Sequence, residues 1–421
     1  MVVSNFWNER LSGCLPAVEG SFILNHISTK PQKKSLTIDP LRKKKEQEPL
    51  SNSASHLVTL SYNGIHIFAL ELMVFSACSV SVGEFSKYNG RNNDIDVTTI
   101  FIAKADSTGY FSQRNKSHAK LDLAKITAKI LETFVQIVSR PDIPSRICLF
   151  ARAQPQYIFP GSAKNDKKHV LSDKQLIKWW LKVLTFLVPT AFSKVHNARL
   201  HIPGAELSDV RNFFILDPET KQTIWQEGDI FCSNGDRESE LALSHVPNFP
   251  DDPKSRFLDV LETEGRDCTM TVNKFFIELQ MRQEFLLGFV TAIIGIEGMA
   301  KVDSNNQKST AFPCAVVDNR AYIRIHDMIV TSDYSTELLA ANSTKAFNSN
   351  MPRNSSFTIG GSLVFTADTP KVTVTAIPHV NVIGGLLVKK RAKRAVIQST
   401  SHVDAQPEKQ QLEQESKRPR L

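Results

Sequence analysis

The segment Phe249-Pro250-Asp251-Asp252-Pro253-Lys254-Ser255-Arg256-Phe257 places two adjacent carboxylates between two prolines. Each proline fixes its own φ at about −65° and moves the preceding residue out of the helical region, which restricts the Asp pair. Asp252 followed by Pro253 is typical of a helix N-cap with proline at the first helical position. The segment therefore predicts a helix that starts here, runs past Phe257 and ends at Gly265.

Two interpretations of Asp252 follow from this segment. In the first, Asp252 only caps the helix. In the second, it is a positioned carboxylate, with Lys254 and Arg256 one turn away. The segment itself does not decide between them.

Length and composition restrict the class of protein. The chain has 421 residues, 41% of them hydrophobic and 22% charged, which is typical of one large or two ordinary soluble domains. The N-terminus has no apolar stretch of the kind found in signal peptides, and the longest apolar run, 286–296, is too short to span a bilayer. The six cysteines form no Cys-x-x-Cys pair, so we expect reduced thiols and no metal site.

The positive charge is confined to two segments. Residues 389–421 carry nine Lys/Arg and four Asp/Glu, which is +5, and residues 31–50 carry six and three, which is +3. Together they equal the whole net charge of +8, so the remainder is formally neutral. We therefore expect no sequence-specific DNA binding by the folded part. The pattern predicts one domain over 1–388, with 31–50 flexible, and a basic disordered tail over 389–421, whose clusters suit nuclear import or acidic partners.

Hydrophobic periodicity predicts alternating strands and helices. Strands are expected at 56–62 and 65–75, joined by an Asn63-Gly64 hairpin turn, and at 97–104, 146–151, 198–202 and 380–388. A turn is expected at 105–110, and helices at 121–138, from the Ser172/Gln175 capping box to Pro189, and at 272–287. Residues 303–360 are rich in Ser, Thr and Asn and are expected to be partly disordered. The order predicts a single α/β domain with a central mixed sheet surrounded by helices.

Local catalytic signatures do not assign a function. The sequence contains no Walker A loop, Gly-x-Gly-x-x-Gly, His-Glu-x-x-His or Gly-x-Ser-x-Gly motif. A carboxylate hydrolase is disfavoured, because two sequence-adjacent aspartates rarely face each other across a scissile bond.

Six stretches taken in order are more specific. They are 150–160 (FARAQPQYIFP), 162–171 (SAKNDKKHVL), 178–180 (KWW), 225–230 (WQEGDI), 249–256 (FPDDPKSR) and 276–285 (FIELQMRQEF). In this combination the chain resembles the fungal regulator-of-Ty-transposition histone acetyltransferases, a family similar in fold to the CREB-binding-protein acetyltransferase domain. The resemblance is densest over 97–110 and 146–288.

The resemblance implies a nuclear enzyme that transfers acetyl from acetyl-CoA to lysines of histone H3, as H3 with H4. It also implies links to nucleosome assembly, DNA replication and genome stability. Histone chaperones of the Nap type and the anti-silencing type would be its partners, and a membrane is not expected to be one. The alternative is a non-catalytic protein that binds chromatin or histone chaperones through the same surfaces.

The resemblance also implies the site residues. The cofactor would contact Ala105, Asp106, Ser107, Phe150, Gln154, His169, Val170, Leu171 and Trp179. Tyr157 and Trp180 would line the channel for the substrate lysine, Asp252 with Asp251 beside it would be the acidic group at the reacting centre, and Lys254 would be acetylated by the enzyme itself. Gln154-Pro155 departs from the family pattern, and 114–120 does not align securely.

Several of these residues have structural alternatives. Trp179 and Trp180 lie about 100° apart on a helix, so we expect them to share core and channel roles. Lys164, Lys167 and Lys168 suit either a solvated loop or cofactor phosphates. His169 alone would more often be structural, and Lys254 alone would be an ordinary exposed lysine.

Overall fold

The computed structural model describes residues 5–38, 40, 51–77, 97–114, 119–232, 237–282, 290–301 and 312–364. The chain divides into two units, Met1–Thr366 and Ala367–Leu421, and every described residue belongs to the first. The tail 389–421, the predicted strand 380–388 and the predicted boundary at 388 lie outside the described residues.

A mixed eleven-stranded sheet organises the described part of the chain and confirms the predicted α/β class. Its strands are β1 (Phe22–Thr29), β2 (Gln32–Lys34), β3 (Ser51–Tyr62), β4 (Ile65–Ala77), β5 (Thr98–Ser107), β6 (Ser145–Ala151), β7 (Phe192–His201), β8 (Gln226–Glu227), β9 (Ala292–Ala300), β10 (Ala315–Val317) and β11 (Ser356–Ile359). The order is β10-β1-β3-β4-β5-β6-β9-β7-β8, with β11 on β1 and β2 on β3. β5 and β6 are parallel neighbours, so their carboxyl ends meet at one edge.

Helices cover both faces of this sheet. They are α1 (Phe6–Leu11), α2 (Tyr110–Arg114), α3 (Leu123–Val138), α4 (Asp173–Ala191), α5 (Leu207–Arg211), α6 (Ala242–His245), α7 (Pro253–Thr263), α8 (Val272–Gln280), α9 (Asn319–Val330) and α10 (Glu337–Ser349). The long helices α3 and α4 pack in the largest core cluster with residues such as Ile100 and Ile102 of β5. Helices α6 to α8 share a second cluster with Phe101, and α9 and α10 share a third with Ile27 of β1.

Local signals in the sequence are confirmed where neighbouring residues alone determine the structure. Asn63 and Gly64 adopt φ values of 46° and 80° between β3 and β4, as the hairpin requires. Both halves of the Ser172/Gln175 capping box are present at the start of α4. Pro189, however, does not end this helix: α4 continues to Ala191, because the Phe192 N–H still reaches the Val188 carbonyl.

Three expectations differ from the observed elements, and in two of them strand pairing is the reason. The expected turn at 105–110 starts later, since residues 105–107 remain paired with β4. The expected helix 272–287 ends at Gln280, with Met281 as C-cap and 283–289 outside the described residues. Within the expected flexible segment 31–50, Gln32–Lys34 pairs with β3.

The predicted disorder at 303–360 is also wrong for its described part, 312–360. That part forms β10, α9, α10 and β11, and Asp318 and Thr336 cap the two helices. Several of its apolar residues are buried, and Tyr322, Ile329 and Phe347 pack in the third cluster. This segment is therefore folded against the sheet although its composition is polar.

Candidate active site

A cavity of about 1110 Å³ lies at the carboxyl ends of β5 and β6. Loop residues 152–157 and 167–171, the stretch 119–124, helix α4 and residues 250–253 with Arg256 also contribute to its wall. In open α/β sheets ligands bind outside the carboxyl ends of the strands, so this edge is a favourable position for a site.

Thirteen of the fourteen predicted site residues line this cavity. They are Ala105, Asp106, Ser107, Phe150, Gln154, Tyr157, His169, Val170, Leu171, Trp179, Trp180, Asp251 and Asp252. Residues from five separate stretches of sequence are thus brought together around one volume. Lys254 is not in the cavity wall and lies behind it, on α7.

Asp106 holds the loop that forms one side of the cavity. Its Oδ2 accepts hydrogen bonds from the backbone N–H groups of Tyr157, Ile158 and Phe159 at 2.8, 2.9 and 3.1 Å. Its Oδ1 accepts a hydrogen bond from the Lys168 ammonium at 2.8 Å. The side chains of Asp106 and Lys168 are each 5% exposed. Because protein donors already occupy this carboxylate, Asp106 shapes the cavity wall through the loop.

The three lysines of this loop, Lys164, Lys167 and Lys168, therefore differ in their burial and contacts. Lys168 is buried on Asp106 and also donates to Ser162 Oγ at 2.8 Å, which gives it a structural role. Lys164 and Lys167 are exposed, and of these two only Lys167 lines the cavity.

The two tryptophans of α4 lie both in the core and at the cavity wall. Trp180 is 4% exposed and belongs to the largest core cluster, whereas Trp179 is half-buried at its edge. Their ring centroids are 4.7 Å apart with the planes at 75°, and both rings contribute to the cavity wall.

Tyr157 presents a neutral phenol to the cavity. Its hydroxyl donates to the Arg152 carbonyl in a short hydrogen bond. Burial raises the pKa of Tyr157 to about 12, and the nearby charge of Asp106 adds to this effect whereas Arg152 opposes it. At neutral pH Tyr157 can therefore donate a hydrogen bond but cannot act as a base.

Asp251 and Asp252 line the same cavity but differ sharply in exposure. Asp251 has φ +58° and a side chain that is 73% exposed. Asp252 is extended, at φ −105° and ψ 127°, and its side chain is fully buried. Asp252 Oδ1 accepts the Lys254 N–H at 3.0 Å, so the predicted N-cap is confirmed, and Pro253 occupies the first turn of α7.

Lys254 is not the exposed lysine that its sequence context alone would suggest. The residue is 1% exposed, and its ammonium donates to Asp252 Oδ2 and, at 2.9 Å, to the Pro247 carbonyl. The ring centroids of Phe249 and Phe231 lie 4.4 and 5.3 Å away. The unmodified side chain therefore packs against these phenylalanines and leaves the Tyr157 and Trp180 walls free of it.

The cavity wall also contains several cations, of which the sequence singled out only Lys167 and Lys168 as candidates for cofactor phosphates. It includes seven lysines and arginines, Lys104, Lys120, Arg152, Lys167, Lys168, Lys182 and Arg256, against four aspartates, Asp106, Asp122, Asp251 and Asp252. Lys120 falls in the stretch without a secure alignment, and Lys182 lies on α4. The balance of seven against four favours an anionic ligand.

Two negative findings apply to the described ranges only. No group of three or more His, Cys, Asp or Glu side chains there is arranged to hold a metal ion. None of the helices described there has the length and apolar character needed to cross a membrane.

Comparison with known proteins agrees with this geometry. The model of the histone acetyltransferase KAT11-type domain matches residues 7–140 and 115–350. The crystal structure of Rtt109 from Aspergillus fumigatus superposes with a TM-score of 0.68 over 85% of this chain and 99% of that one, at 23% identity, and shows the same fold.

Sequence relatives carry the same description. Histone acetyltransferase RTT109 of Candida albicans is 39% identical over 36% of this chain and 38% of the relative. The rtt109 proteins of Aspergillus flavus and Schizosaccharomyces pombe are 28% and 29% identical over 66% and 56% of this chain. These last two matches span 54% and 59% of the relatives' own lengths. Because the family model extends over most of the sequence, the chain belongs to the family of the histone acetyltransferase KAT11-type domain.

Proposed function

We propose that this protein is a nuclear acetyl-CoA-dependent lysine acetyltransferase that acts on histone H3, presented with H4. The observation that carries the proposal is the convergence of an acidic residue, Asp252, with Tyr157 and Trp180 on one large cavity of basic character. An aromatic wall beside a carboxylate suits a lysine side chain, and the cations suit a phosphate-bearing cofactor.

The cavity residues fit acetyl-CoA in size and charge. A volume of about 1110 Å³ exceeds the roughly 300–1,000 Å³ of ordinary small-molecule pockets, as a long cofactor requires. Residues 105–107, Phe150, Gln154, 169–171 and Trp179 would hold it, and the exposed cations Lys120 and Lys167 are available for its phosphates. When bound, the cofactor supplies an acetyl thioester.

The protein has to provide a neutral amine at that thioester. A lysine ammonium has a pKa of about 10.4 in water, so at neutral pH it must lose a proton before it can attack. Desolvation between Tyr157 and Trp180 favours the neutral amine. Asp252 would orient the ammonium and accept its proton, directly or through water, while Tyr157, whose hydroxyl proton is donated to the Arg152 carbonyl, would line the channel with its ring.

Lys254 controls whether Asp252 is available for this task. In the unmodified protein its ammonium already neutralises the Asp252 carboxylate. Acetylation of Lys254 would remove that charge and leave Asp252 with the capping hydrogen bond of α7. We propose that the enzyme acetylates Lys254 itself and thereby frees its own base.

The family relationship also motivates proposals about partners and location. Histone chaperones of the Nap and anti-silencing types are acidic and would suit the basic clusters 389–394 and 417–420, which would also serve nuclear import. A role in nucleosome assembly and genome stability would follow from these partners.

The direct test is incubation of the purified protein with acetyl-CoA and H3–H4, followed by mass spectrometry of the histone. Acetyl groups on H3 lysines are expected, and they should be absent when the cofactor is omitted. Tight histone or chaperone binding without any transfer, under conditions in which acetyl-CoA is shown to bind, would instead support the non-catalytic alternative.

A further inference from the structure

A row of four ionisable side chains connects the sheet to the mouth of the cavity. The Lys104 ammonium lies 3.2 Å from Asp251 Oδ2 and 3.6 Å from Glu71 Oε2. On the far side, Nε2 of His326 lies 3.6 Å from Glu71 Oε1. The row therefore links α9, β4 and β5 to the segment that carries Asp252. Lys104 and Asp251 both line the cavity, whereas Glu71 and His326 do not.

A β-bulge directs Lys104 towards this row. The ladder pairs Leu72 with Ile102 and then Glu71 with Lys104, so Ala103 is an extra residue in β5. Strict alternation would place Lys104 on the face of the sheet that Ile102 and Leu72 share. The extra residue moves Lys104 to the opposite face, beside Glu71, and bulges of this kind commonly re-aim a side chain next to a functional site.

The charges in the row support one another. Burial alone would raise the pKa of Glu71, but His326 and the Lys104 ammonium outweigh it and hold that pKa below its ordinary value. Burial would lower the pKa of Lys104, but the charges of Glu71 and Asp251 outweigh it and raise that pKa. The pair is therefore ionised at neutral pH, and Glu71 anchors the Lys104 ammonium.

Asp251 needs such an anchor. Its φ of +58° lies in the left-handed region, which residues other than glycine adopt infrequently although aspartate tolerates it better than most. This backbone turn is what directs Asp251 outwards and the next residue, Asp252, inwards. Within the described residues, Lys104 is the cation that the structure places on the Asp251 carboxylate.

We propose that Lys104, held by Glu71, is a positioning residue that fixes Asp251 and, through the left-handed turn, the direction of Asp252. The proposal rests on the acetyltransferase function proposed above. Lys104 acts through Asp251 and has no contact with the Asp252 carboxylate, so its removal affects the acetyl-transfer step more than cofactor affinity.

A double-mutant cycle tests this role. Lys104→Met and Asp251→Asn are each expected to lower kcat for H3 acetylation about tenfold to hundredfold, the usual effect of a misplaced catalytic group. The double variant should be no slower than the worse single variant, because both changes remove the same interaction. Lys104→Arg should restore most of the rate, and in the other variants the loss in kcat should exceed any change in the Kd for acetyl-CoA.

Lys129→Met is the matched control. Lys129 is 31% exposed and pairs with a largely buried glutamate, Glu132, at 2.7 Å, as Lys104 at 26% exposure pairs with Glu71, but it lies outside the cavity wall. It should leave kcat unchanged. Wild-type kcat in Lys104→Met, or losses that multiply in the double variant, would overturn the inference.

A second readout separates this inference from the proposed function. Wild-type protein without transferase activity would refute the function. Chemical denaturation of Lys104→Met, Asp251→Asn, Lys129→Met and the double variants 104/251 and 129/251 would still decide whether Lys104 holds Asp251. Unfolding free energies that are non-additive for positions 104 and 251, but additive for 129 and 251, support the interaction, and additivity for both pairs contradicts it.

Discussion

The carboxylate of Asp252 accepts both the backbone N–H and the side-chain ammonium of Lys254, two residues further along α7. One aspartate thus caps a helix and neutralises a buried cation. Both side chains are essentially inaccessible to water, at 0% and 2% exposure. Removing one member of a buried ion pair is costly because the other charge remains in a medium that solvates it poorly.

This pair predicts how Asp252→Asn affects stability. Asparagine keeps the cap but leaves the Lys254 ammonium without its counter-ion, so the free energy of unfolding should fall by about 3–5 kcal/mol. Adding Lys254→Gln removes the orphaned charge and should recover most of the loss. Denaturant titration of the three proteins measures this. An unchanged midpoint for Asp252→Asn alone would show that the pair does not stabilise the fold.

Lys254 should carry an acetyl group acquired from the protein's own cofactor. Recombinant wild type should show it by peptide mass spectrometry, and Asp252→Asn expressed side by side should not. Lys254→Arg keeps a positive charge beside the Asp252 carboxylate. It should therefore raise the acetyl-CoA concentration that gives half-maximal rate. Equal acetylation in both proteins would mean that another enzyme modifies Lys254, and its absence from an active wild type would end the idea.

Asp106 should govern cofactor binding through the loop that it holds. Asp106→Ala leaves three backbone N–H groups and the buried Lys168 ammonium without their acceptor, at a cost of about 3–5 kcal/mol. We expect lower stability and a much weaker Kd for acetyl-CoA by calorimetry. Asp142→Ala, which changes an exposed aspartate outside the cavity wall, is the control and should change neither. Wild-type affinity in Asp106→Ala would refute this role.

Three buried histidines should make the fold sensitive to acid. Burial lowers the pKa of His56 and of His66 from 6.5 to about 3, and burial together with His56 lowers that of His26. The unfolded chain therefore binds protons below about pH 6.5 that the folded protein excludes. Stability should fall as the pH decreases from 6.5 towards 3, by about 1.4 kcal/mol per pH unit for each histidine.

The slope of that decline is the measurement. His66→Gln should reduce the slope of unfolding free energy against pH by about 1.4 kcal/mol per pH unit, the contribution of one histidine. This reduction is expected even if the substitution lowers stability at neutral pH. His196→Gln, which changes an exposed histidine, should leave the slope unaltered. A slope identical in wild type and His66→Gln would show that this histidine is protonated in the folded state.

The features that the sequence predicts correctly are those determined by residues close together in the chain. The Asp252 cap, the Asn63-Gly64 hairpin and the Ser172/Gln175 capping box depend on neighbours in sequence, and each forms as expected. The site residues were placed by family resemblance, and the structure adds that thirteen of them surround one cavity.

What the sequence does not show depends on distant partners. Asp106 binds N–H groups 51 to 53 residues away, and Lys168 lies 62 residues from it. Lys104 faces Asp251 only because of a bulge that has no sequence signature. The polar segment 312–360 folds because a few of its side chains pack in the third core cluster with Ile27 of β1. Composition alone does not predict this packing.

The most direct test of the account compares acetyl transfer by Lys254→Gln with transfer by Asp252→Asn/Lys254→Gln. Both proteins lack the buried ammonium and keep an α7 cap, so they differ only in the carboxylate at position 252. With acetyl-CoA and H3–H4 under single-turnover conditions, and matched melting temperatures and cofactor affinities, the double variant should be at least about a hundredfold slower, as expected for loss of a general base. Equal rates in the two proteins would contradict the assignment of Asp252 to the chemistry at this cavity.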